Sequence, residues 1–174
     1  MTQAEKDAYF MRLAIREARK AGRNGDVPIG CVIVYDGSRP DSMADRNAET
    51  LGIVPGTVIG RGYNRRNRDR SALAHAEILA IRSACRAFSD WRIEDCTMYV
   101  TLEPCPMCAG AILQARIPRL VMAVRNAKAG FCGSVLDVLH LRELNHRAEV
   151  REGVCREECS ALLSDFFSHM RGKI

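Results

Sequence analysis

Two short apolar runs, CTMYVTL at 96–102 and RLVMAV at 119–124, flank PCPMCAGAILQAR at 104–116, which reads as a helix. Apolar runs of that length, without polar alternation, read as strands buried on both faces. Joined through a helix, they form a strand–helix–strand unit, whose strands lie parallel and whose crossover is right-handed. A parallel pair must be covered on both sides, so this unit commits the chain to a layered α/β architecture.

The remaining elements fit around it. PIGCVIVYD, 28–36, reads as a buried strand and TVIGRGYN, 57–64, as its hairpin partner. Between them GSRPDSMADRNAETLGIVPG, 37–56, is polar and rich in turn formers, and is expected to be a long loop or a disordered flap in the first hairpin. Thr2-Gln3-Ala4-Glu5 is a capping box that opens an amphipathic helix ending at Gly22. Ala74, Ile78, Ile81, Cys85 and Phe88 recur at helical spacing, the stripe of a second helix. SVLDVLH, 134–140, predicts a short helix, and AEV, 148–150, a last short strand. Cys159, Leu162, Leu163, Phe166, Phe167 and Met170 form a wide apolar stripe on a final helix. The 174 residues show no repeat or linker and suit one domain over 1–174, of order α-β-β-α-β-α-β-α.

Composition narrows the chemistry. The start of the chain has no apolar run of the signal-peptide kind, and no stretch approaches a membrane span, so a cytoplasmic location is expected. Eight cysteines in a reducing compartment direct attention to metal or catalysis rather than disulfides. Cys31, Cys85 and Cys159 fall on apolar faces as core residues. The formal net charge is +5, and RGYNRRNRDR, 61–70, holds a run of arginines that is either a solvated face or a phosphate-binding rim.

LAHAEILAIRSAC, 73–85, places two titratable side chains at the mouth of the second helix. Mid-helix, His75 and Glu77 would point about 200° apart. They serve one site only if the helix begins close to His75, where side chains converge beyond the helix end. Pro104 suits a first helical position, which puts Cys105 and Cys108 on the opening turn of the next helix, three apart on one face. Three readings of the cysteines are open: buried thiols, a redox pair, or two zinc ligands. Only the zinc reading uses all four residues. His75, Cys105 and Cys108 then ligate, a fourth position stays open for water, and Glu77 is left to move protons.

His75-Ala76-Glu77 followed by Pro104-Cys105-Pro106-Met107-Cys108 resembles the zinc-dependent nucleobase deaminases, whose signature combines these two motifs. VPIG at 27–30, Asn64, WRIEDCTMYVTLEPCPMCAGAI, ARIP, LNHRAEV and LLSDFF extend the likeness to the bacterial tRNA-specific adenosine deaminases. It covers nearly the whole chain except 37–56. The resemblance implies a three-layer α/β/α cytidine deaminase-like fold with a central mixed sheet, one Zn2+ held by His75, Cys105 and Cys108, and Glu77 as the catalytic proton shuttle. It implies that Asn64 hydrogen-bonds the purine and that the backbone near Ile29 touches the base. The expected substrate is the wobble adenosine in the anticodon arm of tRNA, converted to inosine by a homodimer. Asn126, Lys128 and Phe167 are expected beside the RNA. Many relatives carry aspartate at the Asn126 position, and a neutral residue there should relax discrimination against DNA. A free-base deaminase would not need the arginine-rich segments, and a non-catalytic RNA-binding module would not need Glu77.

Overall fold

The computed structural model describes residues 1–173. The strands β3 (Cys96–Leu102) and β4 (Arg119–Val124) pair in parallel around α5 (Pro106–Gln114), as the apolar runs predict. β1 (Gly30–Tyr35) lies antiparallel to β3 and to β2 (Val58–Tyr63), and β5 (Glu149–Arg151) is parallel to β4. The order β2-β1-β3-β4-β5 makes one mixed sheet.

Helices cover both faces. Met11, Ala14 and Ile15 of α1 (Gln3–Arg23) and Cys159 of α6 (Arg156–Arg171) pack on Val32, Val34, Tyr99 and Val121. Alanines of α4 (Ala76–Phe88) and Ala109 and Ile112 of α5 pack on Cys31, Ile33, Met98, Val100 and Leu120. Successive β1 residues therefore feed opposite layers, which is why the run is apolar throughout. The expected three-layer α/β/α fold with a mixed sheet is what the chain adopts.

Five expectations need correction. The 37–56 segment is neither loop nor flap: it contains α2 (Met43–Leu51), capped by the Ser42 side chain and closed by Gly52 in the left-handed conformation. Ala44 and Ala48 of α2 are buried, and Tyr35 donates its hydroxyl to Asp45 at 3.0 Å. The buried face of α4 is Ala76, Ala80, Ala84 and Phe88, while Ile78, Ile81 and Cys85 are half-buried. The cause lies in β2, where Gly60 and Gly62 let the helix approach so closely that an added methyl would overlap the carbonyl oxygens of Ala80 and Ala76. Only the smallest side chains fit between backbones at that spacing. Residues 134–140 yield a single 3₁₀ turn, Val138–His140.

The α6 stripe is buried only at Cys159, and Phe167 and Met170 are 47% and 49% exposed. α6 meets β3, β4 and α1, and its second half runs on without a core to cover. The first helix continues through Gly22 to Arg23, with Asn24 as its cap. A four-residue helix, α3 (Arg66–Asp69), follows β2.

Candidate active site

Two helix mouths meet at the ends of the inner strands. His75 is the N-cap of α4, with extended backbone, so Glu77 lies in the first turn and both side chains can face one point. On α5 the start lies later than Pro104 suggests. Cys105 is the N-cap, Pro106 takes the first helical position, and Cys108 follows in the opening turn. His75 Nδ1 sits 3.6 Å from Cys105 Sγ and 3.5 Å from Cys108 Sγ.

Among the described residues these three form a group whose ligating atoms all lie within 4.8 Å of one another. A tetrahedral zinc with Zn–S of about 2.3 Å and Zn–N of about 2.0–2.1 Å requires S···N separations of about 3.6 Å. The donors thus fit zinc in type and spacing. The Cys108 thiol, with His75 alongside, brings the Cys105 thiol down to about 4. Cys108, its buried neighbour, moves far up. The neighbouring Cys105 sulfur draws His75 above its ordinary value.

Glu77 is 4% exposed, and burial, with the Cys105 charge adding to it, pushes its carboxyl up to about 7. It lines a cavity of about 190 Å³ with His75, Cys105, Ile29, Asn64 and Asn126. The hairpin's open end forms one wall. The Asn64 backbone N–H donates to Ile29 O at 3.0 Å, its side-chain Nδ2 donates to Val27 O at 3.2 Å, and its Oδ1 accepts Arg66 N at 3.3 Å. Each end of this amide keeps one further hydrogen-bonding position. The Ile29 N–H is committed to Val27 O at 2.8 Å, so Ile29 has no free backbone donor for a base.

The opposite wall is the turn after β4. Its anchor is Glu103, which the sequence reading overlooked. This carboxylate, 2% exposed, accepts backbone N–H groups of Asn126 at 2.8 Å, Ser134 at 2.9 Å and Cys132 at 3.1 Å, and also the Ser134 hydroxyl. Burial alone would raise its pKa; the bonds from Ser134 and Asn126 outweigh that and hold it below the usual carboxylate range. An acid at a buried strand end directly before the cysteine pair was the available signal.

A family model for MafB19-like deaminases matches residues 4–171. The tRNA-specific adenosine deaminase of Bacillus subtilis (strain 168) is 41% identical over 173 residues, covering 99% of this chain and 94% of that protein. The chain belongs to the tRNA-specific adenosine deaminases. The enzyme of that name from Haemophilus influenzae is 40% identical over 169 residues, 97% of this chain and 87% of its own. A solved structure from studies of A-to-I editing by tRNA:A34 deaminases superposes with a TM-score of 0.75 at 37% identity, over 89% of this chain and 99% of that one. A guanine deaminase from Nitrosomonas europaea, 21% identical with a TM-score of 0.66 over 90% of this chain and 81% of that one, shares the fold.

In this deaminase the other expected substrate residues fall differently. Asn126 lines the cavity, and its Oδ1 accepts Ala129 N at 3.2 Å. Lys128 is exposed on the same turn but does not line the cavity, and Phe167 lies on the exposed half of α6. Arg66, a residue not singled out beforehand, does line it.

Proposed function

We propose that this protein hydrolytically deaminates adenosine to inosine at the wobble position of tRNA anticodon loops. The observation that carries the reading is the cluster of His75, Cys105 and Cys108, two of which, His75 and Cys105, line one cavity with the buried Glu77, in a chain of this family. His75, Cys105 and Cys108 would hold one zinc ion, whose positive charge makes an attacking water nucleophilic at neutral pH.

The rest of the work falls to the chain. Glu77 accepts a proton from the attacking water and gives it to adenine N1 as oxygen bonds to C6. It then carries the second proton of that water to the departing amine, the C6–N bond breaks, and ammonia leaves. Burial, which raises this carboxyl above the ordinary Glu value, favours its taking up a proton as well as giving one away. Asn64 offers one donor and one acceptor position to the purine, and Ile29 supplies apolar wall. Asn126, held by Glu103 and Ala129, faces the nucleotide from the other side. Being neutral, it spares DNA the repulsion a carboxylate would impose. Lys128 and Phe167 lie where they meet RNA only outside the cavity.

An unstacked loop base suits so small a cavity, because a paired base would first have to be extracted. A homodimer and a cytoplasmic location complete the reading. Exposed Leu73, Val135 and Leu136 are apolar surface for a second copy to cover, and no helix among the described residues is long and apolar enough to cross a membrane. The test is to incubate the purified protein with tRNA and sequence for inosine, with adenine, guanine and cytosine as free-base controls. Inosine confined to the wobble position is expected. Deamination of a free base with none in tRNA would overturn the assignment.

A further inference from the structure

Behind the cavity the surface is strongly basic. Arg61 of β2, Arg65, and Arg82 and Arg86 of α4 line a groove of about 420 Å³. Its one carboxylate, Asp69, is tied to Arg65 at 3.0 Å. Arg61 has a distant 3.6 Å contact with Glu17, whose carboxylate is held at 2.8 Å by Lys20. Among the described residues Arg82 and Arg86 have no carboxylate within 4.0 Å, and they stand four apart on one helix face, where like charges repel. The chain accepts that repulsion on an exposed surface next to its active site.

The α3 side of the groove is also held in place. Asp26, fully buried, accepts backbone N–H groups of Asn67 at 2.8 Å and Arg68 at 3.1 Å, fixing α3 against the turn before β1. The Arg65 guanidinium lies 5.8 Å from the Tyr63 ring centre, and Arg68 donates to the Tyr63 hydroxyl at 3.0 Å. Arg66 lines the cavity while Arg65, its chain neighbour, lines the groove. Groove and cavity therefore draw lining residues from consecutive positions of the chain.

We propose that this groove binds the phosphodiester backbone of the RNA next to the reactive nucleotide, with Arg82 and Arg86 as phosphate contacts. Guanidinium forks match phosphate oxygens, and the continuity with the cavity favours a polymer that occupies both. The proposal rests on the tRNA reading above and adds a path for the strand leaving the cavity.

The experiment measures fluorescence anisotropy of a labelled anticodon stem-loop and of a trinucleotide, with the full chain, between about 50 and 200 mM salt. The Arg82→Gln/Arg86→Gln variant should bind the stem-loop about tenfold more weakly, and its log–log salt slope should shrink by about 2. The charge-matched pair Arg39→Gln/Arg46→Gln, beyond the other end of the first hairpin, should leave that slope in place. The proposal is overturned by an unchanged slope, by an equal effect of the control pair, or by an equal loss on the trinucleotide. Sedimentation of the double variant as a smaller species than the parent would also overturn it, assigning the groove to contact between copies. A parent that binds the stem-loop through the groove but makes no inosine would instead defeat the functional reading alone.

Discussion

The carboxylate of Glu103 accepts the backbone N–H of Asn126 at 2.8 Å, from within the cavity wall. One buried acid thereby ties the strand before the cysteine pair to the turn that forms the opposite wall of the cavity. Glu103→Ala leaves three backbone donors without their partner and should cost about 3–4 kcal/mol of stability. The KM for an anticodon stem-loop should rise with it, because the Asn126 turn loses its anchor. Denaturant unfolding and steady-state kinetics check both, and a variant unchanged in both measurements would remove Glu103 from this role.

Glu77→Gln preserves shape but cannot accept and return a proton. Inosine formation should fall by at least about 10²-fold, the usual contribution of a positioned acid–base group. Bound metal and stem-loop affinity should stay near the parent's. Elemental analysis and anisotropy supply those controls, and near-normal turnover would return the site to a purely structural reading.

Cys105→Ala and Cys108→Ala should each lose zinc and stability together, because metal binding energy is folding energy at such a site. A chelator should lower the melting temperature of the parent but shift neither variant. Parent protein purified without chelator and found to carry no zinc by metal analysis would contradict the assignment.

The strands and the two helix mouths were legible in the sequence because both depend on local pattern. β1, β3 and β4 are apolar on both faces, and His75 and Cys105 sit at caps. What was not legible depends on distance between elements. The Ala76–Ala80–Ala84 face of α4 looks weak beside Ile78 and Ile81 until Gly60 and Gly62 are placed opposite it. Glu103 finds its partners 23 to 31 positions later in the chain, beyond any local window. The α2 helix did leave a local trace, Ser42 before it and Gly52 after it, which the density of turn formers obscured.

The α2 segment joins Tyr35 to Val58, at the end of the hairpin remote from the Ile29–Asn64 contact. Replacing residues 38–55 with a short glycine-containing turn should remove the cover that Ala44 and Ala48 provide and the hydroxyl bond of Tyr35. The expected loss is about 2–4 kcal/mol, with deamination of a stem-loop within about twofold of the parent. A large drop in turnover by a folded variant would show that α2 reaches the substrate.

Two aspartates should give the stability curve opposite slopes. Burial would raise the Asp7 carboxyl, but hydrogen bonds from Arg119, at 2.8 and 2.9 Å, and from Gln3 overcome this and hold it below the usual range. Its contribution is complete above the unfolded value near 3.9 and is lost as pH falls through the lower folded value. Asp7→Asn should cost about 3–5 kcal/mol at neutral pH and less in acid. Burial, aided by the nearby Asp95 charge, pushes Asp36 up to about 6. The folded state then holds that proton more tightly, so stability falls as pH rises from about 4 through 6. Asp36→Asn should exceed the parent by about 1–2 kcal/mol at pH 8, allowing for partial exposure. Urea unfolding at three pH values tests both signs, and curves parallel to the parent's would refute them.

Gly60 and Gly62 give the contact between β2 and α4 a significance beyond packing. The depth at which the helix rests on the sheet sets how far His75 and Glu77 project into the cavity. A single methyl group added on the α4-facing side of this edge strand would therefore displace His75 and Glu77 together, without altering any residue that lines the cavity.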